Sequence, residues 1–113
     1  MEREIIDLHG QKEFSATHHI HKTLTRTPNS AISVVGWEPG QKSPIHCHPG
    51  ADEIYHVLEG EGLMEIAGKN HVVRKHDFIF LPPGVEHAIS NSGLVDLVFL
   101  VVTSPVTDDE KPV

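Results

Sequence analysis

The sequence predicts an all-β domain, on three observations. Short runs rich in β-branched and aromatic residues recur at spacings near ten positions. Glycine, proline and asparagine turn chemistry stands between them, and no stretch carries apolar residues at helical spacing over a useful length. The runs are 31–37 (AISVVGW), 53–59 (EIYHVLE), 63–67 (LMEIA), 71–73 (HVV), 78–81 (FIFL), 87–90 (HAIS) and 94–102 (LVDLVFLVV). EPGQKSP, GEG, GKN, PPG and NSG separate them. Many short strands with regular punctuation pack as a sandwich or a barrel.

A length of 113 residues suits one domain, residues 1–113, with a barrel core from about 30 to 103. Residues 1–12 are polar and read as one edge strand, and residues 104–113 (SPVTDDEKPV) as a loose acidic tail. The formal charge of −7 is spread along the chain, which argues against nucleic acid and anionic membranes as partners. No basic region precedes an apolar run at the N-terminus, and no apolar stretch approaches the roughly eighteen residues a bilayer span needs. The single cysteine excludes an internal disulfide and fits a cytoplasmic location.

The unusual count is histidine, ten against nine lysines and arginines combined. Side chains alternate faces along an extended chain, so His46 and His48 share a side and Cys47 faces the other way. Cys47 is therefore expected as a small buried or half-buried apolar residue, apart from any Cys–His nucleophile or redox pair. Residues 49–52 (PGAD) can turn the chain and bring Glu53 back towards the two imidazoles. Pro82, Pro83 and Gly84 stiffen and aim the run that delivers His87. Three neutral imidazoles and one carboxylate suit a single divalent first-row metal, with positions left open for a ligand.

The spacing carries a family resemblance. Gly40, His46, His48, Glu53 and Gly60 fit the first cupin motif at every position. Pro82, Gly84, His87 and Asn91 fit the second, with His76 where its first glycine belongs, so a left-handed turn before Asp77 would have to be made by histidine. The chain thus resembles a small single-domain cupin of the RmlC-like jelly-roll superfamily. The resemblance implies a double-stranded β-helix, or jelly-roll barrel, holding one divalent transition metal (iron, manganese, nickel, cobalt, copper or zinc) through His46, His48, Glu53 and His87. It also implies a homodimer paired through an outer sheet face and the N-terminal strand.

Three functions follow as expectations. One is a metal-dependent enzyme acting on a small polyoxygenated substrate, by dioxygenase-like oxidation or as an isomerase, lyase or decarboxylase, with Glu53 and Tyr55 in catalytic roles. Another is a non-catalytic protein binding a small ligand or metal, and the last a metal-free enzyme of the sugar-nucleotide epimerase type. Around the site, Tyr55 and Val57 share the face of Glu53, with Val57 as core, and Ile89 forms an apolar wall. Asn91 is expected to hold the NSG turn. His56 belongs to the opposite face as a dimer contact, Phe78, Ile79, Phe80 and Leu81 to core or interface, and Trp37 to core or interface. His9 and His71 read as surface residues. The segment 18–21 (HHIH) reads as a solvated strand, or as one or two histidines at the pocket rim, because His18 and His19 face opposite ways.

Overall fold

A computed structural model describes residues 5–105. Alternation and turn chemistry resolve there into eight strands: β1 (Ile20–Arg26), β2 (Ala31–Trp37), β3 (Ala51–Glu59), β4 (Glu61–Ile66), β5 (Lys69–Arg74), β6 (Phe78–Leu81), β7 (His87–Ser90) and β8 (Leu97–Pro105). One sheet has the order β1-β2-β8-β3-β6 and the other β5-β4-β7, with every pairing antiparallel. The all-β, double-stranded β-helix expectation holds. Among the described residues the only helical turn is a 3-10 turn at Leu8–Gln11, and no helix is long and apolar enough to cross a membrane.

The two sheets face each other across one apolar core. On β3 burial alternates, with Ala51, Glu53, Tyr55 and Val57 buried and the residues between them half-buried. Trp37, Met64, Leu97 and Phe99 fill the space between the sheets, each at most 2% exposed. Val57, Leu81 and Trp37 are core as expected. Phe78 and Phe80 instead face outward on the edge strand β6, 65% and 52% exposed.

Two turns use unusual backbone. Ala67 and Gly68 both have positive φ, 49° and 82°, as the tight primed hairpin between β4 and β5 requires. His76 adopts φ 79°, so histidine does make the left-handed turn that a glycine would make more easily. Its amide donates to Val57 O at 2.9 Å, and the next amide, of Asp77, to Arg74 O at 2.9 Å. The Asp77 carboxylate returns an acceptor to Arg74 N at 2.8 Å, so neighbours hold the conformation in place.

Three expectations need correction. The stretch expected as an edge strand within residues 1–12 contains the 3-10 turn, started by the Asp7 side chain accepting from His9 N, and no strand in its described part. The last strand starts at Leu97 rather than 94, because Leu94 and Val95 sit exposed in the preceding loop. Ser104 and Pro105, expected in the acidic tail, are paired in β8 with Asp52 and Ala51; the rest of that expectation, residues 106–113, lies outside the described part.

Residues 40–48 run beside β7 as an irregular further strand. Gly40 N donates to Asn91 O, Asn91 N to Gln41 O, and Ser43 N to Ile89 O. Regular pairing fails in between, where Pro44 has no N–H to give and the Ser43 hydroxyl takes the amide of Ile89 at 2.9 Å. Isolated bridges remain at Lys42–Ser90 and His46–His87.

Asn91 ties this corner together as the sequence suggests. Its buried amide donates to Trp37 O at 3.0 Å and Val95 O at 2.8 Å, and accepts from Gly93 N at 3.0 Å. Asn91→Ala should therefore lower stability by about 3 kcal/mol, leaving buried carbonyls unpaired. Chemical denaturation would check this, and a midpoint within error of the parent would refute it.

Candidate metal centre

Backbone pairing assembles the site before any side chain contributes. His46 N donates to His87 O at 3.0 Å and His87 N to His46 O at 2.9 Å, so two distant segments meet as a reciprocal pair. His48 O accepts from Gly84 N at 3.0 Å, and the positive φ of Gly84, 82°, makes that approach possible. β3 then delivers Glu53 from the facing sheet, opposite Leu81 on one side and Thr103 on the other.

The side chains expected together are together. His48 Nε2 lies 3.6 Å from Glu53 Oε2, and His87 Nε2 lies 3.3 Å from Glu53 Oε1. The His46 ring is centred 4.3 Å from that of His87 and 5.5 Å from that of His48. His87 and Glu53 are buried, at 0% and 4% exposure, whereas His48 is half-buried and His46 exposed. Cys47 is also exposed, against the expectation of a buried or half-buried position, because the segment carrying it runs along the protein surface at the barrel mouth.

Two of the imidazoles are oriented by the same local device. His46 Nδ1 lies 3.0 Å from Pro44 O, and His87 Nδ1 lies 3.0 Å from Val85 O. A carbonyl oxygen only accepts, so each Nδ1 carries the proton and each Nε2 presents a lone pair, at His87 against the Tyr55 hydroxyl. Histidine ligands in metalloproteins are commonly positioned by this second hydrogen bond.

Tyr55 stands among the donors. Its hydroxyl donates to Glu53 Oε2 at 3.0 Å and lies 2.8 Å from His87 Nε2. Burial first, and then the neighbouring Glu53 carboxylate, push the phenol well above its ordinary pKa, so it remains protonated and serves as a donor. Burial holds His87 below the usual imidazole value, opposed by its bond to Val85 O and by Glu53. Among the described residues no group of three or more His, Cys, Asp or Glu side chains already encloses a position suited to an ion. The donor chemistry nevertheless fits one: three imidazoles and a carboxylate converge, and a small shift of the Tyr55 hydroxyl off His87 Nε2 would free that lone pair.

A cavity of about 100 Å³ opens beside these groups, walled by His46, His48, Glu53 and Tyr55 and by the apolar Val35, Ile89 and Val101. Ile89 forms the apolar wall foreseen from its shared face with His87. His19, His21 and Trp37 close the far side. Of the two readings of the 18–21 segment, the rim position therefore applies to His19 and His21, while His18 is exposed. Burial lowers the pKa of both, His19 further through its neighbours His18 and His46, and His21 through His19. His9 and His71 are surface residues as expected.

The sequence of the family described as Cupin domain matches residues 33–103. Over 87 residues the chain is 37% identical to an uncharacterised protein of Methanocaldococcus jannaschii, covering 77% of this chain and 66% of that protein, just under two thirds of its length. Over 93 residues it is 32% identical to the oxalate-binding protein of Thermotoga maritima, covering 82% of this chain and 77% of that one. The fold superposes on the crystal structure of a Thermus thermophilus protein with a TM-score of 0.86 at 25% identity, covering 91% of this chain and 98% of that one. With motif, barrel and sequence relatives in agreement, this chain belongs to the cupin family.

Proposed function

We propose that the chain holds one divalent transition metal through His46, His48, Glu53 and His87, and through it binds a small oxygen-rich acid such as oxalate. The observation that carries this reading is the matched pair of Nδ1–carbonyl bonds at His46 and His87, which leaves both Nε2 atoms unprotonated, that of His87 3.3 Å from the buried Glu53 carboxylate. Burying Glu53 next to three imidazoles is costly unless a cation offsets it. The likeness to an oxalate-binding protein supplies the ligand class. The bound ion would supply Lewis acidity and open coordination positions for the acid's oxygens. The protein's own part is to fix the imidazoles, to donate from the Tyr55 hydroxyl, and to limit ligand size with Val35, Ile89 and Val101.

Calorimetry on metal-replete and chelated protein tests this directly. Oxalate should bind only the replete form, at one site per chain. His48→Ala should drop metal from about one ion per chain to near none while the thermal unfolding of metal-free protein stays unchanged, since His48 is half-buried and packs little core. Full metal content in that variant, or equal oxalate binding after chelation, would sink the reading.

The enzymatic alternative rests on one specific contact, the Tyr55 hydroxyl on Glu53 Oε2. In that reading Tyr55 donates a hydrogen bond to a substrate oxygen while Glu53 accepts a proton at Oε2. Tyr55→Phe should then keep metal and acid binding yet lower turnover at least tenfold, followed as carbon dioxide release or oxygen uptake. Equal turnover in the variant would remove Tyr55 from the chemistry.

We also propose a homodimer in the cytoplasm. The location rests on the lone cysteine. The dimer rests on the outward face of the larger sheet, where exposed Phe78 and Phe80 stand opposite His56 and Ile54 in register. A Phe78→Glu, Phe80→Glu double variant should run as a monomer by light scattering, whereas an unchanged mass would place the contact elsewhere.

A further inference from the structure

Outside the metal-ligand set, the most unusual chemistry is the far wall of the same cavity. Three features of β1, of the residue just before it and of β2 meet there. His19 and His21 lie on one side of the chain, two residues apart, and both reach the cavity that His46, His48 and Glu53 enter. The His19 ring stacks on the Trp37 indole, centroids 5.5 Å apart and planes 11° from parallel, which fixes its plane. His21 Nε2 lies 2.9 Å from the buried Ser33 hydroxyl, which is in turn 3.5 Å from Thr23 Oγ1. Register places His21 opposite Val35 and Ile20 opposite Gly36, so His21 stands on paired strands and His19 directly precedes the first paired residue.

The wall is rich in donors and short of acceptors. Trp37 gives its ring to the cavity lining, whereas its Nε1–H is buried and offers no donor there, so the donors on this wall are the two imidazoles. A neutral imidazole offers one N–H, which at His21 is left for a ligand when the Ser33 hydroxyl donates to Nε2, and the carboxylate on this cavity, Glu53, is already engaged by Tyr55, His48 and His87. A second metal site fits poorly, because His19 is held flat on the indole and one nitrogen of His21 is committed to Ser33. An anion's oxygens fit better. At about 100 Å³ the cavity is smaller than the roughly 150 Å³ void that holds a benzene ring, a size that suits a short acid.

We infer that His19 and His21 form the distal anchor of this site, hydrogen-bonding the second carboxylate of a short dicarboxylic acid whose first carboxylate faces His46, His48 and Glu53. The pair selects diacids over monoacids, and the stacked indole keeps the anchor rigid. This inference rests on the acid-binding reading above and adds to it the ligand's second charged group and the residues that read it.

The test uses the full chain loaded with one metal ion, titrated calorimetrically with oxalate, malonate and acetate. His19→Ala and His21→Ala are compared with the parent, and metal content and thermal unfolding are measured on each. The parent should prefer a diacid to acetate. Each variant should keep its metal and lose about tenfold in diacid affinity, the effect of one hydrogen bond to a charged group, while acetate affinity moves less than twofold. His21→Gln, which retains an N–H donor, should recover part of the loss and covers the case in which His21→Ala folds poorly. Variants with full metal and the parent's diacid-to-acetate ratio would overturn the anchor while leaving the acid-binding site standing. A metal-loaded parent that binds no acid would overturn both.

Discussion

The pair of backbone hydrogen bonds between His46 and His87 is the constraint on which the rest of the site depends. It joins the irregular segment before β3 to the first residue of β7, and through the main chain it sets two imidazoles side by side, ring centroids 4.3 Å apart. Everything nearby extends that register. His48 O is held by Gly84 N, Ser43 and Ile89 exchange bonds further along, and Asn91 closes the far end on Gln41 and Gly40. A one-residue slip of such a pairing would turn every side chain to the other face. The imidazoles would then point to solvent and Cys47 into the barrel.

Placing a carboxylate and a fully buried histidine inside a β-barrel works against folding unless each polar atom is satisfied. The chain meets that demand locally. His87 spends its Nδ1 proton on the carbonyl two residues earlier, and Tyr55, two residues along the strand from Glu53, gives its hydroxyl proton to the carboxylate. Both partners lie within two positions of the group they serve, so the polar cluster forms as soon as the strands do. Below it the core is apolar, with Phe99 meeting Tyr55 edge-on at 6.0 Å and Trp37 at 5.4 Å. The barrel thus divides into a packed end and a wet end, with Tyr55 on the boundary.

Much of this was legible in the sequence, and what was not has identifiable physical causes. The strands at 31–37, 78–81 and 87–90 follow from β-branched runs bounded by proline and glycine, and they match to the residue. Strict alternation on β3 told which side chains turn inward. Alternation failed where hydrophobicity was a poor guide to pairing. Leu94 and Val95 look like strand, yet Asn91 captures the Val95 carbonyl and holds the loop open. β1 was harder still, because its histidine, lysine and threonine residues cover an edge that shows little apolar pattern. The spacing of His46, His48, Glu53 and His87 forecast their convergence. It gave no sign that Tyr55 bridges Glu53 and His87, since a hydrogen bond across the barrel depends on a distance between sheets.

The two walls of the cavity differ in what they can tolerate. The side bearing His46, His48 and His87 is fixed by main-chain bonds, so its geometry depends on register and on the left-handed turn at Gly84. The side bearing His19 and His21 hangs on a single edge strand bonded only to β2 and on the residue before it, and His21 is exposed there. Substitutions on an edge strand disturb fewer neighbours than substitutions in the stitched segment. On the reading proposed above, the grip on the ion would then be the conservative half of the site and the contact with the ligand's far end the adjustable half. A small barrel built this way can change the acid it accepts at β1 without rebuilding the pairing that holds the imidazoles together.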